Sequence, residues 1–305
     1  MGETAANRLI AQRMATPDQR MLQRIRAVSW TGHNIGLTPT ESTMNPSDQP
    51  LVGNDPRTTA IRNNMRMIVG RQGDLAGLRL IDIGCLEGGI SLAMAREDIH
   101  VVGLEGRRSN YEKCLLIRDF FGLPNLEFLH LDAKELNRAD YGVFDVVLCL
   151  GLLYHLDDPI GFLGRINEIT HDKSMLFLDT HIAPRDSASL EGCMYRDLLS
   201  DIVSFDRTGT TYEGRWYREY PEGDAGAGNE WSSISNTRSF WLTEESLIRA
   251  LSHAGFRFVY NLYGNFGIEE EFDLRKKYSR LWCIALKEGF HERPQAARES
   301  PQPPI

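Results

Sequence analysis

The sequence predicts an α/β protein built on a doubly wound, seven-stranded, mostly parallel sheet, with a helical N-terminal extension and an insertion after the fifth strand. Three observations lead to this prediction. Residues 78–95 show an apolar strand pattern, a turn with Gly84 and Gly88, and then apolar residues at helical spacing. Short apolar runs alternate with helical patterns over residues 100–182, and a helix and two more strands follow over residues 243–287. Such alternation indicates a mostly parallel sheet with helices on both faces.

The predicted elements follow in chain order. Strands are expected at residues 78–83, 100–105, 126–131, 144–150, 174–182, 256–263 and 280–287. Helices are expected at residues 59–69, 110–121, 159–169 and 243–254, besides the helix that follows the glycine turn. Ahead of them, apolar spacing over residues 1–28 predicts one or two amphipathic helices broken near Pro17.

These elements divide the chain into three parts. Residues 1–58 form a helical and lid extension, in which residues 29–58 are rich in Gly, Pro, Ser and Thr and indicate an ordered loop or a flexible lid. Residues 59–287 form the main domain, with residues 184–240 as an insertion that caps the substrate site. Residues 288–305 contain four prolines and are expected to be a disordered tail.

The composition is typical of a globular protein without membrane segments. The 305 residues are 42% hydrophobic and 25% charged, with a formal net charge of −8, which argues against broad nucleic-acid binding. No apolar run is long enough to span a membrane, and the N-terminus lacks a hydrophobic signal region. The five cysteines show no CxxC pairing, which favours free thiols in the cytoplasm, and the eight histidines lack metal-site spacing, so no metal is expected.

The glycine turn indicates which class of ligand the sheet binds. Its pattern, Asp82-x-Gly84 followed by Gly88, departs from the dinucleotide fingerprint because Leu86 replaces the glycine that approaches a pyrophosphate. An acid beside the turn suits a cationic ligand. The turn resembles the glycine-rich motif of the class I S-adenosylmethionine-dependent methyltransferases, whose seventh strand is antiparallel and whose fold is Rossmann-like. The resemblance implies that Asp82, Gly84, Cys85, Leu86 and Gly88 bind S-adenosylmethionine.

The second strand ends on a candidate ribose ligand. Glu105 lies 21 residues after Gly84, close to the offset of about 20 residues expected for a ribose-binding acid. A carboxylate at this position can accept bonds from both ribose hydroxyls. We therefore assign Glu105, with its neighbours Gly106 and Arg107, to the cofactor site. The alternative is a solvated acid in a turn.

The third and fourth strands end on further candidates. The resemblance implies that the Asp132 carboxylate binds the adenine amino group and that the Ala133 N–H binds a ring nitrogen. The alternative role for Asp132 is a helix N-cap, and both roles are compatible. The fourth strand ends at Leu150 and Gly151, whose carbonyls are expected to hold the ammonium group of the cofactor.

The segment CLGLLYHLDDP, residues 149–159, carries the candidate catalytic residues. It resembles a subgroup typified by the tRNA wobble-uridine carboxymethyltransferase, which implies that Tyr154 lies near the sulfonium substituent. His155 is either a general base or a residue that caps the loop through Asp157 or Asp158.

A second candidate base lies at the end of the fifth strand. His181 follows Asp179 by two residues, so the two side chains share a strand face, and Asp179 is expected to orient His181 or to reach His155. We prefer His181 as the base. The alternative is that Asp179 caps a turn and that His181 only packs against the insertion.

Four residues are candidates for substrate contacts. His33 lies in an N-terminal Trp-x-x-His-Asn segment that resembles the same subgroup, and Tyr212, Arg215 and Trp231 lie in the aromatic-rich insertion. Packing within the insertion is the alternative role for its aromatic residues.

The sequence thus predicts an S-adenosylmethionine-dependent methyltransferase that acts on a small molecule. One alternative is a tRNA wobble-uridine alkyl transferase, and another is a cofactor-binding protein without catalytic activity. The acceptor atom, and whether the chain forms a homo-oligomer, stay open at this stage.

Overall fold

The computed structural model describes residues 4–70, 74–220, 231–262 and 277–289. The strands are β1 (Arg79–Ile83), β2 (His100–Glu105), β3 (Leu126–His130), β4 (Phe144–Leu150), β5 (Thr170–His181), β6 (Val203–Arg207), β7 (Thr210–Arg218), β8 (Arg238–Leu242), β9 (Phe258–Asn261) and β10 (Arg280–Leu286). The helices are α1 (Ala5–Ala15), α2 (Gln19–Arg26), α3 (Pro56–Val69), α4 (Gly89–Ala95), α5 (Arg108–Phe121), α6 (Arg138–Tyr141), α7 (Pro159–Glu168), α8 (Ser187–Glu191) and α9 (Glu244–His253).

Seven strands form the central sheet in the order β3-β2-β1-β4-β5-β10-β9. The five strands β1 to β5 are parallel to one another, whereas β10 is antiparallel to both β5 and β9. The strand order reverses between β1 and β4, which is where open α/β sheets bind their ligands. The predicted fold class, including the antiparallel last strand, is therefore confirmed.

Both faces of this sheet are covered, as a doubly wound fold requires. On one face lie α3 and α5, which bury side chains such as Met65 and Phe121. On the other face lie α7 and α9, which bury Ile166 and Leu251. Because both faces are buried, the strands are nearly continuous apolar runs, and this made them visible in the sequence. None of the helices in the described ranges is long and apolar enough to cross a membrane.

The N-terminal extension begins with two helices, as the apolar spacing predicts. The helical conformation is interrupted at Pro17, between α1 and α2. Asp18 caps α2 by accepting hydrogen bonds from the N–H groups of Arg20 and Met21. The apolar sides of both helices, including Ile10 and Leu22, join the core that contains α5. The extension is therefore packed on the main domain.

The insertion contains a second, three-stranded antiparallel sheet in the order β6-β7-β8, which the sequence analysis did not predict. Its first hairpin turns at Thr208 and Gly209, both with positive φ. This is the geometry of a two-residue hairpin turn, and the flanking alternation of half-buried and exposed residues was its sequence signal. Of the predicted tail, residues 290–305 lie outside the described residues, as does residue 263 at the predicted end of β9.

A buried carboxylate fastens the extension to the glycine turn. Glu87 accepts the backbone N–H groups of Thr31, Gly32 and His33 at 2.9, 3.0 and 2.8 Å, and Lys113 Nζ of α5 lies 2.8 Å away. The carboxylate has no exposed surface. Burial opposes its ionisation, but Lys113 and the N–H donors outweigh burial, so the pKa of Glu87 is lowered.

We predict that Glu87→Ala lowers the free energy of unfolding by about 3–5 kcal/mol, because it leaves the Lys113 ammonium buried without its carboxylate. Urea denaturation followed by circular dichroism measures this loss. The matched control is Glu112→Ala on α5, which removes an exposed pair with Arg108 and should cost less than about 1 kcal/mol. Equal losses in the two variants would contradict the anchoring role of Glu87.

Candidate functional site

A cavity of about 380 Å³ opens at the carboxyl edge of the sheet, where the strand order reverses. The loops that follow β1, β2, β3 and β4 all contribute to it. Of the residues predicted to bind the cofactor, those that line it are Asp82, Gly84, Cys85, Leu86, Glu105, Gly106, Arg107, Asp132, Ala133, Leu150 and Tyr154. One cavity thus collects side chains that are far apart in the sequence.

The glycine turn keeps its bend although it has only part of the glycine pattern. Leu86, which replaces the middle glycine, adopts a φ of 53°, a left-handed value that favours glycine. Its N–H donates to Glu105 at 2.9 Å, and its side chain packs against Gly32. Gly88 is not among the described residues that line the cavity. A Cβ there would lie 2.6 Å from the Phe128 ring, so Gly88 serves close packing, and its predicted cofactor contact is corrected.

Two buried acids face the cavity from β1 and β2. Burial raises the pKa of Asp82 to about 6, although the Ser91 hydroxyl donates to it at 2.7 Å. Burial likewise raises the pKa of Glu105 to about 7. The N–H groups of Leu86 and Arg107, which donate to its carboxylate at 2.9 and 2.7 Å, lower this pKa but do not outweigh burial. The Glu105 carboxyl is therefore fixed in orientation before any ligand binds.

Two of the predicted cofactor residues, Asp132 and Ala133, follow the third strand. Asp132 accepts the Lys134 N–H at 2.9 Å and caps a short 3-10 helix, while Asp132 and Ala133 both line the cavity. The capping role therefore exists, and it leaves the cavity position available.

His155 lines the cavity and bonds to a carboxylate from the insertion. Its Nδ1 lies 3.0 Å from both carboxylate oxygens of Glu219, whose side chain is 1% exposed. A carboxylate only accepts hydrogen bonds, so Nδ1 carries the proton and Nε2 of the neutral ring is an acceptor. The alternative role of His155 was to cap the loop through Asp157 or Asp158. These two acids have other partners, because Asp157 pairs with Lys134 and Asp158 caps α7.

His181, the base preferred from the sequence, is not among the described residues that line this cavity. Its Nδ1 lies 2.7 Å from the Tyr278 carbonyl, and its ring stacks on Trp241 at 4.6 Å. Burial, assisted by Arg280, lowers the pKa of His181 to about 4. Asp179 binds Arg280 at 2.6 and 2.9 Å and orients neither histidine. The preference for His181 is therefore corrected.

The predicted substrate residues divide into two pairs. His33 and Trp231 line the cavity. His33 Nδ1 accepts the Gly89 N–H at 3.0 Å and so caps α4, and burial lowers the pKa of His33 to about 4.

Tyr212 and Arg215 are not among the described residues that line the cavity, so their substrate role is corrected. Both are buried inside the insertion. The Tyr212 hydroxyl lies 2.7 Å from His253 Nδ1, and Arg215 donates to the carbonyls of Pro184 and Ser200. Tyr212 and Arg215 therefore serve the packing of the insertion, unlike Trp231.

The cavity also contains residues that the sequence analysis missed. Arg57 of α3 and Arg280 of β10 line it from two sides and both contact Asp179, Arg57 at 3.4 Å. Asn110 of α5 lines it as well, and its buried Oδ1 has no hydrogen-bond partner in the described part of the chain. No motif marks these residues, because chain folding alone brings them together. Across the described ranges, no cluster of His, Cys, Asp and Glu is suited to a metal ion.

Comparison with known proteins agrees with this geometry. The family described as "Methyltransferase domain" matches residues 57–261. The ubiquinone biosynthesis O-methyltransferase of Aromatoleum aromaticum is 30% identical over 115 residues, covering 37% of this chain and 47% of that protein. The corresponding protein of Hahella chejuensis is 30% identical over 122 residues, covering 39% and 50%. The match thus spans about half the length of these curated relatives.

Solved structures support the fold. The N-terminal domain of EvdMO1, crystallised in the presence of SAH and D-fucose, superposes with a TM-score of 0.63 and 22% identity. The alignment covers 90% of this chain and 99% of that domain. The same domain with SAH bound gives a TM-score of 0.61. The chain belongs to the methyltransferase-domain family, within the class I S-adenosylmethionine-dependent methyltransferases.

Proposed function

We propose that this chain transfers a methyl group from S-adenosylmethionine to a hydroxyl oxygen of a small molecule, with His155 as the general base. The observation that carries the proposal is the His155–Glu219 pair at the cavity, in which the carboxylate takes the Nδ1 proton and leaves Nε2 of the neutral ring as an acceptor. The curated relatives, named as O-methyltransferases, support oxygen as the acceptor atom.

The residues around the cavity fit S-adenosylmethionine. Glu105, which lines the cavity, suits the ribose hydroxyls as an acceptor, and the Asn110 Oδ1, which has no partner in the described residues, suits a further ligand N–H or O–H group. Asp132 and Ala133 suit the adenine edge. Arg57, partly exposed beside Asp179, suits a carboxylate.

The carbonyls of Leu150 and Gly151 suit the ammonium group of the same ligand. When it is bound, the cofactor supplies an electrophilic methyl group on a positively charged sulfur.

The protein contributes orientation and proton removal. His155 Nε2 accepts the hydroxyl proton, while the Glu219 carboxylate holds Nδ1 and stabilises the imidazolium that forms. The Tyr154 ring lies beside that of His155, tilted by 46° with ring centroids 4.3 Å apart, and burial raises the pKa of Tyr154 to about 12. Tyr154 therefore stays protonated at neutral pH and acts as a wall and hydrogen-bond donor, not as a base.

The tRNA wobble-uridine subgroup stays an alternative carried by the resemblance alone, as does binding without catalysis. An incubation with S-adenosylmethionine labelled in its methyl group separates these three functions. The protein receives bulk tRNA in one arm and a panel of phenols, catechols and sugars in the other. Label in the small molecules supports our proposal, label in tRNA supports the alternative, and retention of the cofactor without transfer supports binding only. We also propose that the chain acts in the cytoplasm as a monomer or homo-oligomer.

We predict that His155→Gln lowers kcat with the accepted panel compound by about 10²–10⁴-fold, the usual contribution of a general base. Binding of S-adenosylhomocysteine should change little, because no cofactor contact is assigned to the His155 side chain. The matched control is His171→Gln, whose histidine binds Asp145 at the opposite end of β5, and it should keep the wild-type rate. A normal kcat in folded His155→Gln would refute the assignment of the base.

We predict that S-adenosylhomocysteine binds more tightly at pH 8 than at pH 6. The Glu105 pKa of about 7 means that the free protein must lose a proton to present a carboxylate to the ribose. If only the ionised form binds, affinity rises by about tenfold across this range. Isothermal titration calorimetry at the two pH values measures the ratio.

The variant Glu105→Gln should bind S-adenosylhomocysteine more weakly, and its affinity should depend little on pH. Any remaining pH dependence of the affinity comes from Asp82, whose pKa is about 6. The control is Glu127→Gln, which replaces an exposed acid on β3. It should keep the wild-type affinity for S-adenosylhomocysteine and its pH dependence. A pH-independent affinity in the wild type would contradict the role of Glu105.

A further inference from the structure

One short segment of the insertion lies between part of the cavity and solvent. We call residues 231–236 the strap, since all six of them line the cavity. Its two large apolar side chains, Trp231 and Ile234, are still 55% and 53% exposed, so the strap has the cavity on one side and solvent on the other. A ligand bound in the cavity therefore lies against the strap.

The strap is fastened at the ribose end of the cavity by the loop after β2. Arg107 Nη2 donates to the Ser232 carbonyl at 3.0 Å, next to the Glu105 carboxyl that fixes the Arg107 N–H. Ile234 packs over Gly106, where a Cβ would lie 2.8 Å from its terminal methyl. This end of the strap therefore rests on the residues assigned to the cofactor.

The strap is fastened at the other end by the catalytic pair. The Asn236 side chain donates to the His155 carbonyl at 3.0 Å, and the Ser233 N–H donates to Glu219 at 3.0 Å. Glu219 also accepts the Ser239 hydroxyl, besides His155 Nδ1. One buried carboxylate thus receives a donor from the strap, a donor from β8 and a donor from the proposed base.

From this shared carboxylate we infer that Glu219 is a positioning residue that couples closure of the strap over the cofactor to the tautomer of His155. The inference rests on the proposed function, in which His155 is the base. With the strap seated, Glu219 is held beside His155 and fixes the proton on Nδ1, which leaves Nε2 ready for the acceptor hydroxyl. The base is then set when the cofactor is enclosed.

The proton on Nδ1 depends on an acceptor at this position. In Glu219→Gln, the amide oxygen that accepts the Ser233 N–H still lies at the position 3.0 Å from His155 Nδ1, and the NH₂ group can donate to the Ser239 hydroxyl. This variant therefore keeps both the strap and the tautomer. Glu219→Leu removes both oxygens, so Nδ1 loses its acceptor and the proton moves to Nε2, the position that free histidine prefers.

Nitrogen-15 NMR of histidine-labelled protein with S-adenosylhomocysteine bound reads the tautomer directly, and His155→Gln assigns the signals. We expect the Nδ1-protonated form in the wild type and in Glu219→Gln, and the Nε2-protonated form in Glu219→Leu. Glu213→Gln on β7, the strand that ends just before Glu219, should match the wild type, since its acid pairs with Arg185 in a half-exposed site. An Nε2-protonated wild type, or an unchanged tautomer in Glu219→Leu, would overturn the inference.

The release rate of S-adenosylhomocysteine tests the strap. Glu219→Ala removes the acceptor of the Ser233 N–H and should speed release about five-fold, the usual effect of one lost hydrogen bond, whereas Glu219→Gln should release at nearly the wild-type rate. If Glu219→Ala fails to fold, Asn236→Ala, which frees the strap from His155, should speed release in the same way. Wild-type release in the folded variant overturns the coupling. Neither readout needs an acceptor, so the outcome is independent of whether the hydroxyl panel is methylated.

Discussion

The buried carboxylate of Glu87 is the interaction on which the site depends. It sits within the glycine turn, and it gathers three consecutive N–H groups of the extension and the ammonium group of α5. The His33 ring that follows caps α4 in turn. A single acid therefore fixes the extension, the turn and two helices in one arrangement, and the cavity forms between them.

Desolvation shifts the pKa of several titratable groups of the cavity. The same low-dielectric surroundings raise the pKa of Asp82 and Glu105 and lower that of His33. Groups that are buried without a full charge partner tend toward their neutral forms, whereas Glu87 and the Asp179–Arg280 pair keep charges by pairing. The cavity is thus polar but carries few unpaired charges, which suits a ligand that brings its own positive sulfur.

The sequence predicts the fold well because both faces of the sheet are buried, so strand and helix periodicities are strong. It also predicts most of the residues that line the cavity and that we propose for the cofactor, because Glu105 and Leu150 end parallel strands, Asp132 follows one, and the carboxyl ends of such strands must meet at one edge. It fails where position depends on tertiary packing. His181 satisfies the strand-end rule, yet Trp241 stacks on it and Tyr278 holds its Nδ1.

The second sheet was missed for a different reason. β6 is half exposed and β7 is only partly buried, so their apolar signal was weak, and β8, although mostly buried, is only five residues long. The turn at Thr208 and Gly209 was the remaining evidence. Without this sheet, no argument from sequence connects Glu219 to His155, which lie 64 positions apart. Motif reasoning finds residues that act through a local pattern, and it overlooks those that act through a shared partner.

The origin of Glu219 in the insertion has a consequence for how relatives of this protein diverge. His155 follows a strand of the central sheet, whereas Glu219, the acid that binds it, comes from the insertion. Insertions of this kind are the part of an α/β enzyme that is most easily exchanged to admit a new acceptor. In the mechanism proposed above, such an exchange would remove the acid partner of the base together with the strap. A chimera that replaces the insertion must therefore supply an equivalent acid beside His155.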